Sequence, residues 1–132
     1  MERRRRPSCN CKKILIVDDN EFNIYTLKHL LLIAGCNEDI DYAQNGKIAL
    51  DRFRESVDSC PTQSCKGYQL IFMDCNMPIM DGFTATKAIK SQIRSNDQLD
   101  DITIIACTAL PENYYRENAL DTGMTHYLPK PI

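Results

Sequence analysis

The sequence predicts one α/β domain built on a five-stranded parallel sheet with helices on both faces. Short apolar runs alternate with amphipathic segments at helical spacing, which is the pattern of a sheet wound with helices. The run Ile14–Val17 is continuously apolar, as expected for a strand covered on both faces. The chain has 132 residues, 43% of them hydrophobic, enough to form a single core.

The first strand is predicted at Lys13–Asp18, near the centre of the sheet because of its apolar run. Asn20 is a suitable N-terminal cap for the helix that follows. Apolar residues then recur at helical spacing until Gly35, which is expected to end this first helix.

The second strand, Asp39–Ala43, is more polar and is predicted at an edge of the sheet. After the turn residues Asn45 and Gly46, a second helix is predicted at Lys47–Glu55. The polar loop at residues 56–67 is longer than the usual two to six residues between a helix and a strand. We interpret this long loop as an insertion.

The second half of the chain contains the other three strands and two further helices. The predicted strands are Gln69–Asp74, Ile102–Thr108 and Thr125–Leu128. The predicted helices are Phe83–Ser95 and Glu112–Asp121. A final helix normally follows the fifth strand, and Ile132 leaves no residues for it. The expected organisation is a basic N-terminal tail or linker at residues 1–11 and a C-terminally truncated domain at residues 12–132.

Polar side chains stand at the carboxyl ends of four predicted strands. They are Asp18 and Asp19, Asp74, Thr108 and Lys130. Parallel strands joined by right-handed crossovers end at one rim, where sheets of this kind bind ligands. The sequence therefore predicts a site containing three acids, a hydroxyl and a base.

Clustered carboxylates repel one another, and a hard divalent cation such as Mg²⁺ relieves the repulsion. A carboxylate is also a covalent acceptor for phosphoryl groups, whose transfer needs positioning and charge neutralisation. In this interpretation Asp74 attacks phosphorus, and Mg²⁺ is held by Asp18, Asp19 and Asp74. Lys130 and Thr108 contact the phosphoryl oxygens.

Four motifs in this order resemble those of response-regulator receiver domains. The motifs are Ile16–Asn20, Phe72–Gly82, Thr108–Ala109 and Tyr127–Pro131. The resemblance covers the chain from about Lys12 onward. It implies a flavodoxin-like fold with strand order 2-1-3-4-5 and an Asp74 that is phosphorylated by a partner phosphohistidine.

The resemblance also implies roles for individual residues. Mg²⁺ would be held by Asp19, Asp74 and the backbone carbonyl of Asn76, with Asp18 acting mostly through water. The Lys130–Pro131 peptide would be cis. Switching would move Thr108 toward the phosphate while Tyr127 turns inward.

The presence of Asn20 and Asn23 after the acid pair resembles the receivers of hybrid histidine kinases and phosphorelays. The implied partners are a histidine kinase, a histidine phosphotransfer protein, or both. The upstream signal, the output, and whether the chain is free or excised from a larger kinase are left open.

Two other functions remain as alternatives. An aspartate-nucleophile phosphohydrolase usually has a second acid two residues after the nucleophile, where this chain has Asn76. A degenerate receiver or flavin-binding flavodoxin-like domain would never take phosphate, but the intact acid pair, Thr108 and Lys130 argue against it.

The chain has seven cysteines, an odd and scattered set that indicates reduced thiols rather than a disulfide framework. One further hypothesis is a structural Zn²⁺ site where two neighbouring strands begin. Its ligands would be Cys9, Cys11, Cys60 and Cys65, although their spacing is a weak signal.

Charge and hydropathy restrict the possible partners. The net charge of -2 gives no general basis for binding nucleic acids or anionic membranes. The Arg3–Arg6 run is interpreted as part of a solvated tail or linker rather than a nucleic-acid patch. No apolar stretch is long enough for a transmembrane helix or a signal peptide, so a cytoplasmic location is expected, if only as the cytosolic part of a membrane-bound kinase. The oligomeric state is left open.

Overall fold

The computed structural model describes residues 13–36, 39–58, 67–94, 102–109, 111, 113 and 122–131. Its strands are β1 (Ile14–Val17), β2 (Ile40–Ala43), β3 (Leu70–Asp74), β4 (Thr103–Thr108) and β5 (His126–Pro129). Its helices are α1 (Glu21–Ile33), α2 (Gly46–Asp58) and α3 (Gly82–Arg94). The strands form one parallel sheet in the order β2-β1-β3-β4-β5, which confirms the predicted fold class and strand order.

The register between β1 and β3 places two acids next to each other. Val17 pairs with Met73, so the residues that follow, Asp18 and Asp74, lie at the same edge of the sheet. Every residue of β1 is buried, as its apolar run predicted. Burial on both faces leaves the strand ends as the places where polar side chains of β1 and β3 can reach solvent.

Each face of the sheet has its own hydrophobic core. The larger core lies against α2 and α3, and its fully buried side chains include Leu15, Phe53, Ile71 and Ile89. The smaller core lies under α1 and includes Ile16, Ile24, Leu27 and Phe72. Alternate residues of β1 and β3 therefore contribute to opposite cores, which fixes the register of both strands.

Both ends of α1 are formed as the sequence predicted. The Asn20 side chain caps the helix by accepting a hydrogen bond from the backbone N–H of Phe22 at 2.9 Å. Gly35 has a φ of 90°, and the N–H of Cys36 donates to the Leu31 carbonyl at 2.9 Å. This is a Schellman ending, in which glycine takes the left-handed conformation most easily.

The second helix is longer than predicted. α2 continues to Asp58, three residues beyond the expected end at Glu55, so the predicted loop at residues 56–67 begins at residue 59 at the earliest. The Ser56 hydroxyl donates to the Phe53 carbonyl at 2.7 Å, and Val57 packs against the larger core. The predicted helix at Glu112–Asp121 lies almost entirely outside the described residues, as does the tail at residues 1–11.

A polar cluster fastens the edge strand β2 to its neighbours. Asp41 of β2 accepts a hydrogen bond from the Tyr68 hydroxyl at 2.6 Å and lies 3.6 Å from the Arg52 guanidinium. That guanidinium also lies over the Tyr42 ring, 5.8 Å from its centroid. These contacts join β2 to α2 and to the residues before β3.

Among the described helices, none combines the length and the apolar character needed to cross a membrane.

Candidate functional site

The carboxyl ends of β1, β3, β4 and β5 meet around an open polar cavity. The residues that line it are Asp19, Asn20, Asn23, Asp74, Asn76, Thr108, Ala109 and Lys130. The structure therefore brings together most of the residues singled out in the sequence. Of the seven predicted site residues, Asp18 lies beside the cavity and Tyr127 lies in the sheet.

Asp18 follows β1 and has a complete set of partners. Its Oδ1 accepts hydrogen bonds from the backbone N–H of Asn20 at 2.9 Å and from the side-chain amide of Asn23 at 3.5 Å. Its Oδ2 lies 2.8 Å from Lys130 Nζ. The carboxylate is buried but well satisfied, because both of its oxygens contact donors.

Asp74 is the last residue of β3 and is held less tightly. Its Oδ1 accepts from the backbone N–H of Asn76 at 3.3 Å, and its Oδ2 lies 3.3 Å from Lys130 Nζ. Both distances are long for hydrogen bonds to a charged group. The backbone here is packed closely, since a Cβ on Gly82 would collide with the carbonyl oxygen of Asp74. Asp74 thus has a fixed backbone and an under-satisfied side chain.

The electrostatics reflect this arrangement. Burial raises the pKa of Asp74 to about 6, and the nearby charge of Asp18 raises it further, against opposing effects of Lys130 and Asn76. Partial burial lowers the pKa of Lys130, but hydrogen bonds with Asp18 and Asp74 and their charges outweigh it, so the net pKa is raised. One lysine does not fully neutralise the acids around it.

Three carboxylates are arranged to hold a cation. Asp18, Asp19 and Asp74 each offer an oxygen, and the three oxygens lie within 4.8 Å of one another. Asn76 also lines the cavity, as expected for a residue whose carbonyl is the predicted fourth ligand. A set of oxygen donors with excess negative charge fits Mg²⁺.

Thr108 and Tyr127 occupy neighbouring strands. Thr108 ends β4, is almost fully buried and is hydrogen-bonded to Cys75. Burial raises the pKa of that Cys75 thiol to about 12, so it is a neutral partner. Tyr127 in β5 is half-buried and packs against the larger core. The switch roles predicted for Thr108 and Tyr127 stay predictions.

Some features of the site were not predicted from the sequence. Asn23 was taken only as a mark of a subfamily, whereas it donates to Asp18. The close contact of Gly82 with Asp74 was also missed, although an Asp-Gly pair after a strand is a signal for a tight turn. The predicted cis peptide between Lys130 and Pro131 is confirmed.

The zinc hypothesis concerns residues that lie outside the described ranges, Cys9, Cys11, Cys60 and Cys65. The described cysteines are the free thiols Cys36, Cys75 and Cys107.

Comparison with known proteins gives a consistent result. The family model of the response regulator receiver domain matches residues 14–132. Hybrid signal transduction histidine kinase A of Dictyostelium discoideum is 35% identical over 127 residues, which are 96% of this chain and 5% of that protein. The osmosensing histidine protein kinase SLN1 of Saccharomyces cerevisiae is 34% identical over 120 residues, 91% of this chain and 9% of that kinase. The chain thus spans less than a tenth of either relative.

Solved structures also resemble this chain. One is the receiver domain of the response regulator Ssk1 of S. cerevisiae, crystallised with the histidine phosphotransfer protein Ypd1. It has a TM-score of 0.74 and 29% identity, over 92% of this chain and 81% of that one. The receiver domain of the histidine kinase CKI1 of Arabidopsis thaliana, complexed with Mg²⁺, has a TM-score of 0.70 and 29% identity, over 90% and 83%. None of the comparisons supports a zinc site.

Proposed function

This chain belongs to the response regulator receiver family, and we propose that it accepts a phosphoryl group on Asp74 from a phosphohistidine of a partner protein. The observation that carries the proposal is the contrast in partners at the rim. Asp74 is buried, its pKa is raised to about 6, and its two contacts are both at 3.3 Å. A carboxylate that lacks tight partners keeps a lone pair available for attack on phosphorus.

The proposed transfer uses residues that already surround Asp74. A carboxylate oxygen of Asp74 bonds to phosphorus, while the bond from phosphorus to the donor imidazole breaks and its electron pair stays on nitrogen. Lys130 Nζ, at 3.3 Å from Asp74, pairs with one phosphoryl oxygen. The Thr108 hydroxyl leaves Cys75 and donates to another oxygen, and Tyr127 turns inward.

A bound Mg²⁺ would supply further neutralisation of the phosphoryl oxygens. The residues that would hold it are Asp18, Asp19, Asp74 and the carbonyl of Asn76. Support comes from the mutual approach of the three carboxylates and from the Mg²⁺ complex of the CKI1 receiver.

The proposed partners are a histidine kinase and a histidine phosphotransfer protein. Support comes from the hybrid kinases among the relatives and from the Ssk1 receiver crystallised with Ypd1. Phe22 and Tyr25 of α1, 73% and 69% exposed, give such a partner apolar surface beside the rim. The chain modifies itself and turns over no external metabolite. Free thiols in the described residues fit a cytoplasmic location.

The test is phosphorylation by a small donor. The chain is incubated with Mg²⁺ and acetyl phosphate, and the acyl phosphate is detected by intact mass and located by peptide mapping. We expect one phosphoryl group on Asp74, loss of labelling on removal of Mg²⁺, and no labelling of Asp74→Asn. Asp51→Asn is the control, because Asp51 is an exposed helical acid paired with Lys47.

Two outcomes would contradict the proposal. Absence of labelling in the unmodified chain would indicate a degenerate receiver or a flavodoxin-like binding domain. Continuous hydrolysis of phosphate esters would indicate a phosphohydrolase.

A further inference from the structure

Ile79, in the turn between β3 and α3, has an unexpected conformation. Its φ is 72°, and it is the only described residue other than glycine with a positive φ. The left-handed region is unfavourable for L-residues and most unfavourable for β-branched ones, because the side chain crowds the backbone. Glycine or asparagine would relieve this strain.

The Ile79 side chain gains nothing from the rest of the chain in return. It is 83% exposed, more than any other large hydrophobic residue that is described. Its neighbours behave differently: Met77 is buried, and Met80 packs against the larger core. A strained, exposed isoleucine between two inward methionines is not explained by folding, and such strain tends to persist at functional sites.

The turn cannot retract Ile79 from the surface. The N–H of Gly82 donates to the Cys75 carbonyl at 3.1 Å and closes the turn. The Met80 carbonyl accepts from the N–H of Gly46 at 3.0 Å and ties the turn to α2. Ile79 is therefore presented on a fixed support.

We propose that Ile79 is an apolar contact for the protein that donates the phosphoryl group to Asp74, an inference that rests on the function proposed above. Five residues of chain separate Asp74 from Ile79, so they lie at most about 17 Å apart. A protein interface of ordinary size covers about 800 Å² of each partner, a disc of about 16 Å radius. A donor protein centred on Asp74 therefore reaches the turn.

The chemistry of the rim restricts this donor. The centre is charged, while Ile79 and the 73% exposed Phe22 are apolar. The matching surface is a phosphohistidine with apolar side chains around it, as opposed to a purely basic phosphate carrier. A small phosphodonor is too small to reach Ile79 while it reacts at Asp74.

The experiment compares two donors with the full 132-residue chain. Acetyl phosphate is the small donor, and phosphorylated Ypd1 is the protein donor. The variants are Ile79→Asn and Ile79→Gly, which remove the apolar side chain and relieve the strain, and Ile79→Leu, which keeps an apolar side chain. Ile33→Asn is the matched control, because Ile33 is 70% exposed at the far end of α1, about 18 Å along the helix from its start.

We expect the Asn and Gly variants to melt a few degrees higher than the unmodified chain. We expect their transfer from Ypd1 to slow on the order of tenfold, as for loss of one good interface contact. Labelling by acetyl phosphate should be unchanged, and the Ile79→Leu and Ile33→Asn variants should accept phosphoryl groups from Ypd1 at the original rate.

Equal transfer from Ypd1 to all variants would overturn the proposal, as would failure of Ypd1 to phosphorylate the unmodified chain that acetyl phosphate labels. Slowing by both donors alike would also overturn it, since Ile79 would then act on Asp74 itself. Failure of acetyl phosphate to label the unmodified chain would instead contradict the proposed function.

Discussion

The ends of β1 and β3 carry two equally buried carboxylates with different surroundings. Asp18 and Asp74 are each 4% exposed and follow adjacent strands. Asp18 has two hydrogen bonds and an ion pair at 2.8 Å, whereas Asp74 has two contacts at 3.3 Å. The difference lies in the turns, because the β1 turn folds Asn20 and Asn23 back onto Asp18.

This comparison shows that burial alone does not assign roles to acids in one site. A buried charge that is satisfied by donors serves to position other groups, and one that is left short of donors is reactive. Lys130 joins the two, since it pairs with both. Changing each of these residues should separate the two roles.

The largest effect is expected from Lys130→Met, which removes the shared cation and leaves two neighbouring buried acids. We expect the free energy of unfolding at pH 7 to fall by about 3 kcal/mol, measured by urea denaturation. Lys47→Met is the control, because Lys47 forms an exposed ion pair with Asp51 and should cost well under about 1 kcal/mol. Equal losses would mean that the rim is as well solvated as an ordinary surface.

The second effect is a dependence of stability on pH that belongs to Asp74. Its pKa is raised from 3.8 to about 6, so the folded state binds this proton more tightly than the unfolded state. The stability from this group is full below about pH 4 and is lost as pH rises through about 6. At about 1.4 kcal/mol for each pKa unit, the loss reaches up to roughly 3 kcal/mol.

The measurement is urea denaturation from pH 4 to pH 7 with chelator present. The difference in unfolding free energy between the unmodified chain and Asp74→Asn isolates the group. A difference that stays constant over this range would contradict the raised pKa.

The third effect is a pair of substitutions with opposite signs. Asp18→Asn weakens the 2.8 Å ion pair with Lys130 and should lower the free energy of unfolding at pH 7 by about 2 kcal/mol. Asp74→Asn removes a charge that the fold tolerates poorly and should raise it by about 2 kcal/mol. Thermal and urea denaturation of both variants give the signs. Destabilisation by both substitutions would show that the two acids are held alike.

The smallest effect is stabilisation by Mg²⁺. A cation that binds only the folded state adds about 1.4 kcal/mol at ten times its dissociation constant. We expect the melting temperature to rise with Mg²⁺ and the rise to disappear in Asp19→Asn, whose carboxylate is exposed. A rise of the same size in that variant would place the ion elsewhere.

Much of this organisation could be predicted because it depends on simple patterns. The apolar run Ile14–Val17 predicted a buried strand, and parallel strands necessarily bring Asp18 and Asp74 to one rim. The unequal partners of the two acids depend on turn geometry, which residue types do not specify. The left-handed Ile79 could not be predicted, because isoleucine is among the least suited residues for that conformation. The end of α2 was misplaced because Ser56 bonds within the helix.

The polar cluster on β2 has a consequence for the behaviour of the chain in concentrated solution. An edge strand exposes unpaired backbone groups to which strands of other molecules can add. β2 has only four residues, and Asp41 in its interior is held by Tyr68 and Arg52. A second molecule that paired along β2 would meet this anchored carboxylate and the Arg52 side chain that covers Tyr42. The cluster thereby protects this edge of the sheet against fibril-like growth.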